Sequence, residues 1–80
     1  MARVSILFFG ATAAVTGRRR LEIHTSAGAS AADAFDRVIA EYPGLASHQL
    51  LLSLNESYAT GQEALNDGDE LAVFTAVSGG

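Results

Sequence analysis

One stretch of the chain, Ser30 to Tyr42, carries its apolar residues at helical spacing, and the residues around it alternate or turn. Ala34, Phe35, Val38, Ile39 and Tyr42 form a single apolar stripe, while Asp33, Asp36, Arg37 and Glu41 occupy the opposite face. Ser30 is a good N-cap, and Asp33 three residues later suits a capping-box start at the positive end of the helix dipole. Pro43-Gly44 ends the segment. A helix with one apolar face needs a surface to cover. The other elements are strands, so the pattern predicts an α+β domain with the helix on one face of a sheet.

The strands follow from period-two patterning. Arg3 to Phe9 places Val4, Ile6 and Phe8 on one face and Ser5, Leu7 and Phe9 on the other. Gly10 breaks it, and Ala11 to Gly17 form a small-residue connection with room for one helical turn. Arg20 to Thr25 is the second strand, joined to the first as a hairpin with a long turn, with Leu21 and Ile23 opposite Glu22 and His24. Leu50 to Asn55 is a third strand, Glu56-Ser57 a turn and Tyr58-Ala59 a short fourth strand. Asn66-Asp67-Gly68-Asp69 is a strong turn signal, and Leu71 to Thr75 is the last strand. If the first and last strands are central neighbours, Val4, Ile6, Phe8, Leu71 and Val73 meet the helix stripe. Phe9 and Phe74 then lie side by side on the uncovered face, extended by Leu7 and Ala72. Contiguous exposed apolar residues of this kind mark a partner interface.

Reactive groups are scarce. The chain has no Cys and no Lys, only His24 and His48, and no glycine-rich phosphate loop inside the fold. Without Cys there are no disulfides or thiolate metal sites, which fits a reducing cytoplasmic setting. No apolar run is long enough for a membrane span, and Met1-Ala2-Arg3-Val4 runs directly into a strand rather than a signal peptide. A net charge of −4 with a single basic cluster, Arg18-Arg19-Arg20, argues against nucleic-acid binding and for steering toward a basic protein partner. His24 and His48 read as ordinary surface residues, the arginine triplet as a solvated hairpin tip, and Asp67, Asp69 and Glu70 as a charged tight turn. The chain ends Val77-Ser78-Gly79-Gly80, and its last carboxylate is the best candidate for covalent chemistry. Glycine there lets the backbone thread a narrow site.

Several motifs carry a family resemblance over essentially the whole length. They are Leu7-Phe8-Phe9, Val15-Thr16-Gly17, Ser53-Leu54-Asn55-Glu56, the run from Asp67 to Phe74, and Val77-Ser78-Gly79-Gly80. With them the chain resembles the MoaD-type small subunits of molybdopterin synthase, which are ubiquitin-like β-grasp sulfur carriers. The resemblance implies a mixed sheet of four to five strands with one main helix, a domain spanning 1–76, and a flexible tail at 77–80.

It also implies a mechanism. A MoeB-type adenylyltransferase uses ATP to convert the Gly80 carboxylate to an acyl-adenylate. A sulfur donor protein then replaces AMP, leaving a thiocarboxylate. The loaded tail, with Gly79, Ser78 and Val77, enters a MoaE-type large subunit in a heterotetramer and delivers sulfur to the molybdopterin dithiolene. The chain itself binds no cofactor under this reading. Phe9, Tyr58 and Phe74 match positions of the family's apolar docking face. One departure is Thr75-Ala76, where the family usually has prolines that pre-set an extended tail. The other readings are a thiamine (ThiS-type) or tRNA-thiolation carrier, a ubiquitin-like modifier, and a non-covalent β-grasp interaction module.

Overall fold

The structure, a computed structural model, describes residues 1–76. The elements run β1 (Ala2–Phe8), α1 (Ala11–Thr16), β2 (Arg20–Thr25), α2 (Ala31–Glu41), a 3₁₀ turn (Pro43–Ser47), β3 (Leu50–Leu54), β4 (Ser57–Ala59) and β5 (Glu70–Thr75). They build one five-stranded sheet in the order β2-β1-β5-β3-β4. β1 and β5 are parallel central neighbours, and the other pairings are antiparallel. This is the ubiquitin-like β-grasp arrangement.

Packing follows the alternation. Val4, Ile6 and Phe8 of β1 and Leu71 and Val73 of β5 are buried against Ala34 and Val38 of α2. Each such side chain contributes about 1.5–3 kcal/mol when fully buried. Phe35, Ile39 and Tyr42 pack around this centre. Tyr42 meets Phe8 edge-on, with ring centroids 6.2 Å apart.

The start of α2 is fully accounted for. Asp33 N–H donates to Ser30 Oγ and Ser30 N–H to Asp33 Oδ2, the expected capping box, worth about 1 kcal/mol. The segment before β5 supplies the remaining acceptors. Ala31 N–H donates to the Glu63 carbonyl and Ala32 N–H to the Gly61 carbonyl, both at 2.8 Å. That segment is braced by the Glu63 carboxylate, which accepts from Thr60 and Gly61 N–H at 2.8 Å. These bonds, the one from Thr60 first among them, hold the carboxyl below its ordinary pKa.

Several boundaries differ from the sequence expectation. β1 ends at Phe8, so Phe9 lies just beyond it. The β3–β4 turn is Asn55-Glu56, both at positive φ, and Ser57 belongs to β4. The connection between β1 and β2 does hold the helical turn for which the sequence left room, as the short helix α1, closed by Gly17 at φ 71. Pro43-Gly44 does end α2, but the chain continues as a 3₁₀ turn that buries Leu45. Leu65, in an irregular segment, is buried too. Neither leucine lies in a periodic run, so neither was visible as core.

Candidate functional site

The register lines up side chains in rows across the open sheet face, because residues directly opposite each other in adjacent strands share a side. One row crosses all five strands as Arg20, Leu7, Ala72, Ser53 and Tyr58. Toward the C-terminal end of β5 the next row holds Leu51 opposite Phe74, with Phe9 following β1 beside them. On the other side, Glu22, Ser5 and Glu70 form a polar row.

These rows bring Phe9 and Phe74 together, as the alternation predicted, and set Tyr58, which only the family resemblance had named, beside Phe74. Phe9 is 54% exposed and Tyr58 80%, while Phe74 is half-buried between them. The Tyr58 and Phe74 rings stand 6.2 Å apart, tilted by 45°. Leu7, Ala72 and Ser53 floor a cleft of about 360 Å³, with Glu56 and Glu70 on its rim. Leu51, partly exposed, widens the apolar row. Leu51 was not among the residues expected on this face, although the alternation through Leu50 to Leu54 carried the signal that would have placed it there.

Phe9 is set in place by its neighbours in the chain. Gly10, at φ 55 and ψ −117, turns the backbone out of β1 through a conformation that side chains with a Cβ avoid. Thr12, fully buried, accepts from Phe9 N–H at 2.9 Å and reaches the Val73 carbonyl oxygen at 2.7 Å. Nothing in a small-residue connection singled out Thr12 beforehand.

The polar margin is less crowded. Arg20 donates to Ser5 Oγ at 2.8 Å and stands 3.7 Å from a Glu70 carboxylate oxygen, both side chains about half exposed. Arg20 therefore belongs to the sheet face rather than to a solvated hairpin tip. Asp67 and Asp69 are structural acceptors. Asp67 takes Arg3 N–H, and Asp69 takes Asn66 N–H and the Asn55 side-chain amide. Asn55 in turn accepts Glu70 N–H at 2.9 Å, tying the β3–β4 turn to the start of β5. His24 and His48 are both exposed. Among the described residues no group of three or more His, Asp or Glu is arranged to hold a metal ion.

β5 runs parallel to β1 and ends at Thr75, which borders Phe9, Gly10 and Phe74. The aromatic patch therefore sits where the chain leaves the sheet. Val77, Ser78, Gly79 and Gly80 lie outside the described residues.

The ThiS family model matches residues 6–80. The chain is 33% identical to a molybdopterin synthase sulfur carrier subunit of Chlamydomonas reinhardtii, covering 98% of this chain and 99% of that one. It is 31% identical to the corresponding subunit of Mycobacterium tuberculosis over the full length of both. Among solved structures, it is similar to small archaeal modifier protein 1 of Haloferax volcanii, with TM-score 0.87, 29% identity and coverage of 99% and 100% of the two chains. A fold likeness at TM-score 0.70 and 21% identity, covering 98% and 99% of the two chains, links it to a complex of subunits 1 and 2 of the molybdopterin-converting factor from Helicobacter pylori.

Proposed function

The chain belongs to the ThiS family, and on that premise we propose that it is the sulfur carrier subunit of a molybdopterin synthase. The names of its full-length relatives support this reading, as does the known complex of the two converting-factor subunits in a protein of the same fold. The observation that carries it is positional. The aromatic patch of Phe9, Tyr58 and Phe74 adjoins the end of β5, so a partner that grips the patch also receives residues 77–80. Four residues beyond Ala76 reach at most about 14 Å when extended, enough to enter a partner's active site.

The chemistry is that of an activated carboxyl group. A carboxylate is a poor electrophile because its leaving group would be an oxide. Attack of a Gly80 oxygen on the α-phosphorus of ATP releases pyrophosphate and leaves an acyl-adenylate. A sulfide-level sulfur then attacks the carbonyl carbon, and the bond to AMP breaks with AMP as the leaving group, so that Gly80 carries a thiocarboxylate. A donor that presents a persulfide instead forms an acyl disulfide, which a thiol reductant cleaves to the thiocarboxylate and the donor thiol. The adenylyltransferase and the large subunit supply the acid–base and phosphate-binding groups. This chain contributes the docking face, the two terminal glycines and the carboxyl group that is modified. In this reading Val77 and Ser78 are partner-binding residues, and the working assembly is a heterotetramer in the cytoplasm.

The reading is tested by intact-mass measurement after incubation with ATP, a sulfur donor and the adenylating partner. An oxygen-for-sulfur shift confined to the C-terminal peptide is expected. An unchanged mass under conditions that load a known carrier rules it out. The likeness to a small archaeal modifier raises the modifier reading, and the same experiment run with lysine-bearing proteins separates the two. Amide-linked conjugates would support a modifier, and transfer of sulfur to a molybdopterin precursor supports the carrier.

A further inference from the structure

We propose that the cleft beside Tyr58 takes an arginine side chain from the docking partner, with its guanidinium between Glu56 and Glu70. The proposal rests on the docking reading above and names the chemistry of the partner at that face. It starts from the shape and polarity of the cleft. Leu7 and Ala72 give it an apolar floor, the Tyr58 ring lines it, and two acidic residues, Glu56 and Glu70, line it as well. A purely apolar insert would fill the floor but would strip water from Glu56 and Glu70 with nothing in return, which is costly for a charge. A side chain with an apolar stem and a cationic head meets both demands.

Both carboxylates are open to a further partner. Glu70 has one ion-pair contact among the described residues, Arg20 at 3.7 Å, and that arginine also donates to Ser5. Glu56 has no ion pair or side-chain hydrogen bond among the described residues. Its place is nevertheless defined. Asn55 at φ 49 and Glu56 at φ 71 form the two-residue turn between Leu54 and Ser57, with the sign pattern of a type I′ hairpin. Asn55 then bonds that turn to the first residue of β5, which is Glu70 itself. The two acids are thus held by one hydrogen-bonded unit.

Arginine fits better than lysine. Its planar fork bonds two carboxylates at once and its face stacks on an aromatic ring, here Tyr58. The rest of the patch, Phe9, Phe74 and Leu51, then covers apolar residues flanking that arginine. The chain's net charge of −4 also favours encounter with a basic surface.

Two measurements test this. In the first, amide resonances of the intact chain are followed by NMR while acetyl-Leu-Arg-amide is added, with acetyl-Leu-Gln-amide as the control. Shifts at Ser53, Glu56, Tyr58, Glu70 and Ala72 are expected only with the arginine peptide, and only without the paired substitutions Glu56→Gln and Glu70→Gln. No shifts, equal shifts with the glutamine peptide, or shifts centred on Asp67 and Asp69 overturn the proposal. In the second, binding to a molybdopterin synthase large subunit is measured at low and high salt. The double Gln variant should bind about tenfold more weakly at low salt and lose most of its salt dependence, with thermal stability unchanged. If Phe74→Ala weakens binding and the double Gln variant does not, the arginine assignment fails and the docking reading stands. If neither variant changes binding, the docking reading itself fails. Concentration-dependent shifts of the chain alone, centred on the same residues, would mean that a second copy supplies the arginine, and would also overturn the proposal.

Discussion

The hydroxyl oxygen of Thr12 lies 2.7 Å from the carbonyl oxygen of Val73, a fully buried bond between the first short helix and the last strand. The same hydroxyl accepts Phe9 N–H. One side chain therefore anchors the residue after β1 to β5, and so sets Phe9 next to Phe74 at the point where the chain leaves the sheet. Thr12→Val keeps the shape and removes the hydroxyl, leaving the Phe9 N–H without its acceptor. A loss of about 1–3 kcal/mol is expected by urea denaturation. Thr12→Ser should lose less, because the hydrogen bonds survive.

Gly10 takes a backbone conformation that an L side chain resists, although a Cβ there would meet no atom within 4 Å. Gly10→Ala should therefore cost about 1–3 kcal/mol from backbone strain alone. Comparing its melting temperature with that of Thr12→Val shows whether the turn and the hydroxyl act as one unit. Non-additivity in the double variant is the expected sign.

Phe74 is half-buried on the open face and touches Tyr58 rather than the core. Phe74→Ala should lower affinity for a large subunit by about tenfold or more and destabilise the fold by only about 1 kcal/mol, well short of a buried phenylalanine. Calorimetry of binding and of unfolding checks both halves. A stability loss at the scale of a core phenylalanine would move Phe74 into the core.

Glu63 gives the fold a pH dependence with a definite sign. Its carboxyl pKa is lowered in the folded chain, so the stabilisation is present above the unfolded value near 4.5 and is lost as pH falls through the folded one. Glu63→Gln should melt below the unsubstituted chain at neutral pH, and the gap should close in acid. Melting curves across that range test it, and a gap independent of pH would show that the carboxylate's charge is irrelevant.

Removal of Gly80, or extension beyond it, should abolish sulfur loading while leaving the melting temperature unchanged. Stability is spared because every pairing of β5 with β1 and β3 is made between Glu70 and Thr75. Full activity from an extended, unprocessed chain would overturn the carrier reading.

Much of this protein was legible in local patterns. The capping box of Ser30 and Asp33, the stripe through Val38, the alternation in β1 and the turn at Asn66 to Asp69 each depend on residues a few positions apart. Near-neighbour sterics and hydrogen bonding decide such features without help from the rest of the chain. The alternation also assigned Phe9 and Phe74 to one face, given that the two end strands are neighbours.

What remained hidden depends on contacts between distant positions. Leu45 and Leu65 are core residues because the 3₁₀ turn packs against α1 and α2 and the segment before β5 bonds back to the start of α2, and no periodicity marks either. Thr12 ties the local turn at Phe9 to β5 only because Val73, 61 positions along the chain, offers its carbonyl to the same hydroxyl. The row from Arg20 to Tyr58 exists only once five strands are in register. The sequence by itself determined which side chains share a face, since that follows from backbone geometry within each strand. The tertiary structure alone decided which strands adjoin, and so placed the two acids Glu56 and Glu70 on one cleft and the aromatic patch at the chain's exit, because register is set by packing over the whole sheet.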